Sequence, residues 1–291
     1  MKSVKLYANA KINLFLDIES KLNNGYHNIK SLMQSIDLFD VVTVSFEPCD
    51  SKIIEISVNV PSIPANEKNI AYKAADRLIE SGYVKIEIEK NIPSPAGLAG
   101  GSADAAAVIY ALKSFGCTNK SDDEITKIAA GIGADVPFCL IGGSKKISGI
   151  GDVIEDIPAL PKLDLVVAVK GEGISTPIAY SMLDAKFDDF SDYTVKKFDY
   201  NCFSVNDIYN IFEDIILCER PEAKHLKEEM LRLGAINALM SGSGPAIVGI
   251  FDSKEKAIKA AESLNANGAV AHACKTASRG IETKNSAVAE L

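Results

Sequence analysis

The chain has 291 residues, of which 47% are apolar and 24% charged, and its formal net charge is −8. This composition is ordinary for a globular protein, and the length suits two domains or one large one. The acidic excess argues against a nucleic-acid-binding surface, because such a surface needs clustered lysine and arginine to meet phosphates. No nucleic-acid partner is therefore predicted.

The sequence also argues against export and membrane insertion. Asn9, Lys11 and Asn13 interrupt the apolar stretch that a secretion signal near the amino terminus would need. No run reaches the roughly 18 apolar residues that suggest a membrane span. Scattered cysteines without a C-x-x-C pair or a nearby histidine cluster make a zinc site improbable and are typical of a reducing cytoplasm; they stand at 49, 117, 139, 202, 218 and 274.

Alternating and helical patterns follow one another along the first half of the chain. Residues 4–18 have a β-type composition with polar interruptions. The patterns further predict strands over 40–46, 52–58 and 84–90, and helices over 69–81, over 103–115 and from Ser121 to near Gly131 or Gly133. Ser121 and Glu124 have the spacing of a capping box, which supports the last of these helices.

A proline-rich joint at 158–164 separates the two halves and predicts two domains, over 1–160 and 161–291. The second half contains an apolar strand, a helix, a strand–turn–strand, another helix and a short strand, predicted over 163–170, 221–234, 237–251, 253–268 and 269–274. Helices and strands mix without a strict βαβ rhythm, so each half is predicted to be α+β.

The stretch PSPAGLAGGSADAAA, residues 93–107, places a glycine-rich loop between a predicted strand and a predicted helix. Glycines at 97, 100 and 101 allow positive φ and a close approach of the backbone to a ligand. A helix beginning near Ser102 would offer free N–H groups to an anion such as phosphate. Ser102 would cap that helix or contact the phosphate, and Asp104 would suit the positive end of its dipole.

A strand-to-helix turn without a ligand is the alternative interpretation of this loop. Two well-known phosphate loops are excluded, because the chain contains neither a Gly-Lys pair, as in the Walker motif, nor G-x-G-x-x-G. A nucleotide site here would belong to a third kind.

The loop resembles the central motif of the GHMP kinases, P-x-[GA]-x-G-L-G-[GS]-S-[SA], and differs from it at Pro95 and Ala99. The segments ANAKINLFLDI, NNGYHNIKSLMQSIDLFD, GIGADVPFCLIGG and LMSGSGPAIVGIF extend the resemblance from about residue 6 to 252. It implies an ATP-dependent small-molecule kinase of α+β class. Its N-terminal domain would resemble ribosomal protein S5 domain 2, and its C-terminal domain would be a ferredoxin-like α/β sandwich.

The resemblance assigns catalysis to Asp135 and Lys11. Phosphoryl transfer to an alcohol needs a group that accepts the hydroxyl proton, and Asp135 stands at the family's catalytic aspartate. Lys11 matches a lysine that pairs with that aspartate. By period two, Asn9 and Asn13 share a strand face with Lys11, so this face is either exposed to solvent or the floor of a polar site.

Within the family, the resemblance is to kinases whose alcohol substrate carries a cytidine diphosphate. It implies that Tyr26 stacks on the cytosine and His27 hydrogen-bonds to it, although a Tyr-His pair in a loop is commonly just exposed. It assigns further substrate contacts to Asn13, Thr176, Tyr180, Ser241 and Gly242. The Ser241–Gly244 turn could equally be only a tight hairpin.

ATP would bind Asn69 and the loop residues Pro95, Ala96, Gly97, Leu98, Ala99, Gly100, Gly101, Ser102, Ala103 and Asp104. Asn69 could equally be a plain N-cap. Mg²⁺ is implied because it neutralises the triphosphate, without an identifiable carboxylate ligand. Lys145, Lys146 and Asp152 depart from the residues usual in the family, and the sequence gives them no role.

The resemblance implies a cytoplasmic enzyme, monomeric or weakly dimeric, without membrane partners. Two alternatives stay open. One is another GHMP-type kinase, acting on homoserine, mevalonate or a sugar. The other is a relative that binds nucleotide without catalysis.

Overall fold

Two long antiparallel strands form the centre of the larger sheet. The computed structural model describes residues 1–187, 190 and 193–283. In it, β1 (Lys2–Lys21) pairs with β2 (His27–Glu47) along its whole length. Strands β3 (Lys52–Val58) and β4 (Gly82–Glu89) extend this sheet on the β2 side, and the hairpin β5 (Ser144–Ser148) and β6 (Val153–Asp156) also pairs with β2.

Four helices accompany this sheet: α1 (Ile70–Leu78), α2 (Gly100–Ser114), α3 (Asp122–Ile132) and α4 (Val136–Ile141). Helix α2 packs on β1 and β2, and its buried alanines allow the close approach. Helix α1 is shorter than predicted, because Ile79 is already extended. Helix α2 begins three residues earlier than predicted, and the capping box of Ser121 and Glu124 is confirmed.

The second sheet is a four-stranded antiparallel sheet. It consists of β7 (Asp164–Val169), β9 (Asn237–Met240), β10 (Ile247–Phe251) and β11 (Val270–Lys275), in the order β11-β7-β10-β9. Helices α7 (Pro221–Arg232) and α8 (Lys254–Ala266) pack against it. This βαββαβ arrangement is a ferredoxin-like sandwich, and it confirms the predicted α+β class.

The second half of the chain also returns to the first sheet. Strands β8 (Tyr209–Asn210) and β12 (Ile281–Glu282) both pair with β1. Helices α5 (Thr176–Phe187) and α6 (Glu213–Glu219) lie between β7 and α7 in the chain. The boundary proposed at 160/161 falls between β6 and β7, and the last eight residues of the second proposed domain lie outside the described residues.

Two irregularities in the pairing of β1 with β2 decide which side chains face the functional site. The pairing of β1 with β2 shifts between Asn9 and Ala10 and again between Asn13 and Phe15. A bulge reverses the inward and outward alternation of a strand and re-aims side chains. Ile12 accordingly packs in a different apolar core from Leu6 and Leu16.

The prediction that Asn9 shares a face with Lys11 and Asn13 is therefore wrong. The Asn9 amide instead donates to the carbonyl of Arg279 and to Glu282, next to β12. All three residues are buried, which excludes a solvent-exposed face. No helix in the described part of the chain combines the length and apolar character needed to cross a membrane.

Candidate active site

The glycine loop and the start of α2 form one wall of the site. The residue before α2 is Ala99, in the left-handed conformation with φ 57°, and it offers no side-chain cap. Ser102 therefore lies inside the first turn, which excludes the first of its two predicted roles, capping the helix; the other, contact with the phosphate, stays a prediction. Because the first amides of a helix have no carbonyl partner within it, α2 begins with N–H groups available to a ligand.

The loop is held against both sheets by backbone contacts. The Lys11 amide donates to the Leu98 carbonyl at 3.1 Å, and the Ala246 amide donates to Ala96 at 3.2 Å. Gly97 has φ +76°, and a Cβ on it would lie 2.3 Å from the carbonyl oxygen of Ser241. Only glycine fits there, because the position combines a positive φ with a close backbone approach.

A cavity of about 750 Å³ lies in front of this loop, within the size range of small-molecule sites. Loop residues 95–102 line one part of it, and Lys11, Asn13 and Asp135 line another. Its lining also includes Tyr26, His27, Thr176, Tyr180 and Gly242. The fold thus brings residues from six separate segments of the sequence to one opening.

Lys11 and Asp135 face each other in the cavity. The Lys11 Nζ lies 3.8 Å from Asp135 Oδ2 and donates to Asn13 Oδ1 at 2.8 Å. The side-chain amide of Asn13 donates in turn to Ser31 Oγ at 2.8 Å, which fixes the orientation of the Asn13 side chain. Asp135 precedes α4 but makes no side-chain cap hydrogen bond in the described structure, and about a third of its side chain is exposed. The carboxylate is consequently available to a ligand.

The turn between β9 and β10 ties this centre to the glycine loop. The Ser241 hydroxyl accepts a hydrogen bond from the backbone N–H of Asn13 and donates one to the Gly97 carbonyl, both at 3.2 Å. Ser241 itself is fully buried. The predicted tight turn is present, with the Gly244 amide donating to Ser241, and it also positions the loop. Thr176, at the start of α5, lies 3.2 Å from the Ser243 hydroxyl.

An aromatic cluster forms the other end of the cavity. Tyr26 is 59% exposed, whereas His27 is buried. The His27 ring stacks on Tyr180 with a centroid separation of 4.8 Å and an interplanar angle of 26°. Burial, followed by the nearby carboxylate of Asp135, raises the pKa of Tyr180 to about 12, so its phenol stays neutral.

Asp184 is a cavity residue that the sequence did not reveal. Its Oδ1 lies 2.7 Å from His27 Nε2, and its Oδ2 lies 2.9 Å from Lys21 Nζ. Burial alone would raise the pKa of Asp184, but hydrogen bonds from Lys21 and His27 lower it. An acidic residue on α5 has no sequence signal that separates it from a surface residue, because only the fold brings it to His27.

Several predicted ATP-binding residues do not line the cavity. The Asn69 side chain caps α1, accepting from the Ala71 amide at 2.9 Å and donating to the Pro64 carbonyl at 2.8 Å. Its contact with adenine stays a prediction. Ala103 is buried, and Asp104 points behind the loop to Lys90 rather than towards the cavity. The side chain of Asp104 therefore does not line the cavity in which ATP was predicted to bind, and a contact of Asp104 with ATP stays a prediction.

Three of the residues that depart from the family pattern, all in or near the β5–β6 hairpin, have structural partners. Lys145 pairs with Asp156, and Lys146 pairs with Glu155, across the β5–β6 hairpin. Asp152 accepts from the Ile150 amide at 3.0 Å in the turn of that hairpin. The hairpin turn contributes Ile150 and Gly151 to the cavity, so these contacts shape its rim.

Comparison with known proteins finds matches in both halves of the chain. Residues 69–143 match the GHMP kinases N terminal domain, and residues 201–270 match the GHMP kinases C terminal domain. A 4-diphosphocytidyl-2-C-methyl-D-erythritol kinase of Thermoanaerobacter sp. (strain X514) is 39% identical over 294 residues, covering 97% of this chain and 99% of the relative.

Solved structures give the same result at the level of the fold. A crystal structure of 4-(cytidine 5'-diphospho)-2C-methyl-D-erythritol kinase aligns with a TM-score of 0.77 and 30% identity, over 94% of this chain and 99% of that one. A homoserine kinase from Cytophaga hutchinsonii aligns with a TM-score of 0.67 and 20% identity, over 98% of both chains; at that identity only the fold is shared. With Lys11 and Asp135 facing a glycine loop and with relatives matching along nearly its whole length, this chain is a kinase that belongs to the GHMP kinase family.

Proposed function

We propose that this kinase transfers the γ-phosphoryl group of ATP to the 2-hydroxyl of 4-diphosphocytidyl-2-C-methyl-D-erythritol, in the non-mevalonate route to isoprenoid precursors. The observation that carries the proposal is the Lys11–Asp135 pair, at 3.8 Å, facing the glycine loop within one cavity. The names and near-complete coverage of the relatives favour this substrate over homoserine, mevalonate or a sugar.

The triphosphate would lie against the first amides of α2 and the backbone of residues 95–102. These N–H groups and the positive end of the helix dipole favour an anion. Mg²⁺ neutralises charge on the triphosphate when it is bound. Among the described residues no three His, Cys, Asp or Glu side chains come together, so we assign Mg²⁺ no protein ligand; such ions are often held through substrate phosphates and water.

Asp135 would accept the proton of the attacking hydroxyl. A bond forms between the alcohol oxygen and the γ-phosphorus, the bond from that phosphorus to the bridging oxygen breaks, and ADP leaves with the bridging oxygen. The Lys11 ammonium stabilises negative charge on the carboxylate and on the oxygen as it loses its proton. Asn13 holds that ammonium in place through its 2.8 Å contact.

The cytidine end of the substrate would lie at the aromatic cluster. Tyr26 is exposed and free to place its ring on a base. His27 is held by Asp184 and Tyr180, so the edge of its ring is fixed before a ligand arrives. A base that lies on the Tyr180 ring beside the His27 imidazole would be nearly coplanar with the imidazole, so the edges of the two rings would meet.

A substrate panel tests the proposal. The purified chain is incubated with ATP and Mg²⁺ and with the cytidine substrate, homoserine, mevalonate or a hexose, and ADP and the phosphorylated product are both measured. We expect turnover of the cytidine substrate alone. Turnover of another alcohol without it would replace the proposed substrate, and no turnover with any alcohol, despite nucleotide binding, would favour the non-catalytic alternative.

Location and assembly belong to the same proposal. All six cysteines are free thiols, and Cys49, Cys202 and Cys218 are exposed, which supports a reducing cytoplasm. We further propose that the enzyme acts as a monomer or weak dimer. Sedimentation of the active enzyme at assay concentration would reveal an obligate oligomer if there were one.

A further inference from the structure

A second buried ion cluster lies behind the glycine loop, outside the cavity. The ammonium of Lys90, which follows β4, donates to Asp104 Oδ2 at 2.6 Å and also to Asp40. The exposed fractions of the three side chains are 4% for Lys90, 0% for Asp40 and 4% for Asp104. Buried charges are costly unless they are paired and hydrogen-bonded, so these three groups are confined to one arrangement.

The cluster holds the glycine loop at both of its ends. Before the loop, Asp40 Oδ1 accepts from the amides of Asn91 at 2.6 Å and Ile92 at 2.8 Å. After the loop, Asp104 projects from α2. Between them, a Cβ on Gly100 would lie 3.2 Å from the Lys90 Nζ and 3.3 Å from Asp40 Oδ2. The first residue of α2 therefore rests directly on the ammonium.

The charge of this cluster depends on one proton. One ammonium against two carboxylates leaves a negative charge behind a site built for anions. In the described structure Asp104 Oδ1 has no hydrogen-bond partner, so a proton on Asp104 displaces no existing contact at that oxygen. Burial, opposed by Lys90 and assisted by Asp40, raises the pKa of Asp104 to about 8.

We propose that Lys90, Asp40 and Asp104 position the glycine loop for the triphosphate, and that they do so best when Asp104 carries a proton. The protonated cluster is neutral, whereas the ionised cluster repels phosphate through a protein interior that screens charge weakly. Proton binding to Asp104 and triphosphate binding to the loop therefore strengthen each other. The inference rests on the proposed function only in that the loop binds the phosphates of ATP.

Two charged groups and one thiol lie around Asp104. It faces Lys90 and, from β2, Asp40. Burial opposes protonation of Lys90, but Asp104 and Asp40 raise its pKa, so the ammonium persists. On α4, burial and then Asp135 raise the pKa of Cys139, which also lies within electrostatic reach of Asp104, so that thiol stays neutral.

The test compares Asp104→Asn with the unaltered enzyme, using Asp17→Asn as the matched control. Asp17 is a second buried carboxylate with a pKa raised by burial, but it contacts Tyr193 instead of the loop. Between about pH 7 and 9.5 at saturating Mg²⁺, we expect the KM for ATP of the unaltered enzyme to rise roughly three- to tenfold, while the KM for the alcohol stays constant. Asp104→Asn should keep a low KM for ATP throughout, and Asp17→Asn should follow the unaltered enzyme.

An equal rise of KM in the unaltered enzyme and in Asp104→Asn would overturn the proposal. A second measurement needs no variant: calorimetric titration with a non-hydrolysable ATP analogue and Mg²⁺ at pH 8, in two buffers of different ionisation enthalpy. We expect uptake of a fraction of a proton, and binding without uptake contradicts the coupling. Uptake without phosphorylation of the cytidine substrate would sink the proposed function and leave this inference standing.

Discussion

Lys11 and Asp135 lie close enough for one hydroxyl group to contact both side chains from the cavity. The ammonium is bonded to Asn13 at 2.8 Å, and the carboxylate lies 3.8 Å away with part of its surface open to the cavity. A tighter ion pair would satisfy both groups and leave neither for a substrate. The arrangement therefore favours a hydroxyl that contacts both side chains over a purely structural ion pair.

We expect Asp135→Asn to lower kcat by about 10²- to 10⁴-fold, the usual contribution of a general base, and to change the KM for ATP little. Steady-state kinetics with ADP detection measures both. Asp122→Asn, at an exposed carboxylate paired with Lys113, is the matched control and should retain full activity. A kcat within a factor of about three of the unaltered enzyme would remove Asp135 from the reaction.

We expect Tyr26→Ala to raise the KM for the cytidine substrate about tenfold, in keeping with the stacking energy of one base, and to leave the KM for ATP unchanged. Tyr26→Phe should retain the ring and the affinity. Tyr110→Ala provides a control at another exposed tyrosine, which does not line the cavity. Equal loss of affinity for ATP and for the alcohol would show that Tyr26 supports the fold of the site instead of stacking on the base.

At the scale of elements, the loop and β1 act together. The Leu98 carbonyl accepts a hydrogen bond from the backbone N–H of Lys11, and the Gly97 carbonyl accepts one from the Ser241 hydroxyl. That hydroxyl also accepts a hydrogen bond from the backbone N–H of Asn13. The wall that would bind phosphate is thus bonded directly to the strand that carries the ammonium. A displacement of the loop would also disturb the alignment of Lys11 with Asp135.

Gly97→Ala should raise the KM for ATP and lower kcat, each about tenfold or more, because misplaced catalytic elements are costly. The added methyl would lie 2.3 Å from the Ser241 carbonyl oxygen. Gly116→Ala is a close control, since Gly116 has φ +73° but nothing within 4 Å of its Cβ position. It carries the same backbone strain and should lose only about 1 kcal/mol of stability. Similar kinetics for both variants would refute the role of the loop contact.

The sequence predicted the elements that have a clear local signal, and it missed those that depend on partners. The Ser121 helix and the strands of the ferredoxin-like sandwich follow from capping and periodicity. The first half of β2 was not predicted, because Ser31 and Gln34 are polar yet buried in a hydrogen-bonded network. Strands β8 and β12 have only two residues each, and pairing with β1 alone defines them.

Some residues of the candidate site were predicted from the sequence, whereas others were misplaced or missed. Family motifs led to Lys11, Asp135 and the glycine loop, all of which line the cavity. Asn9 was placed on the wrong face because a bulge leaves no mark in a period-two pattern. Asp184 was missed because its partner His27 belongs to a distant segment. The sequence motifs identified residues of the site, but tertiary contacts decide which way each side chain points.

At the scale of the whole molecule, the two sheets share a core. Ile12 of β1, Leu98 of the glycine loop, and Leu165 and Val248 of the second sheet belong to one apolar cluster. Strands β8 and β12 add hydrogen bonds between β1 and the second half of the chain. The cavity therefore lies where two mutually bonded units meet, and the stability of one unit depends on the other.

Asp104 should make the stability of the whole molecule depend on pH. Its pKa is about 8 when folded and about 3.9 when unfolded, so between these values the folded protein holds a proton that the unfolded chain has released. Stability then falls as pH rises through this window and levels off above it. We expect thermal unfolding of Asp104→Asn to lack this part of the decline. Parallel pH profiles of Tm for the two proteins would contradict the assignment.

The paired irregularities in β1 also constrain how this gene can change over time. Between them, β1 presents the Lys11 ammonium to the cavity and apolar side chains such as Ile12 to one core. Outside them, the apolar side chains of Leu6 and Leu16 pack in the other core. Loss of one residue between the first shift and Lys11 would shift the register by one, so that Ile12 would face the cavity and Lys11 the apolar core. Exchanges of one side chain for another leave this frame intact, so we expect the protein to tolerate a substitution better than a one-residue deletion within the five positions 10–14.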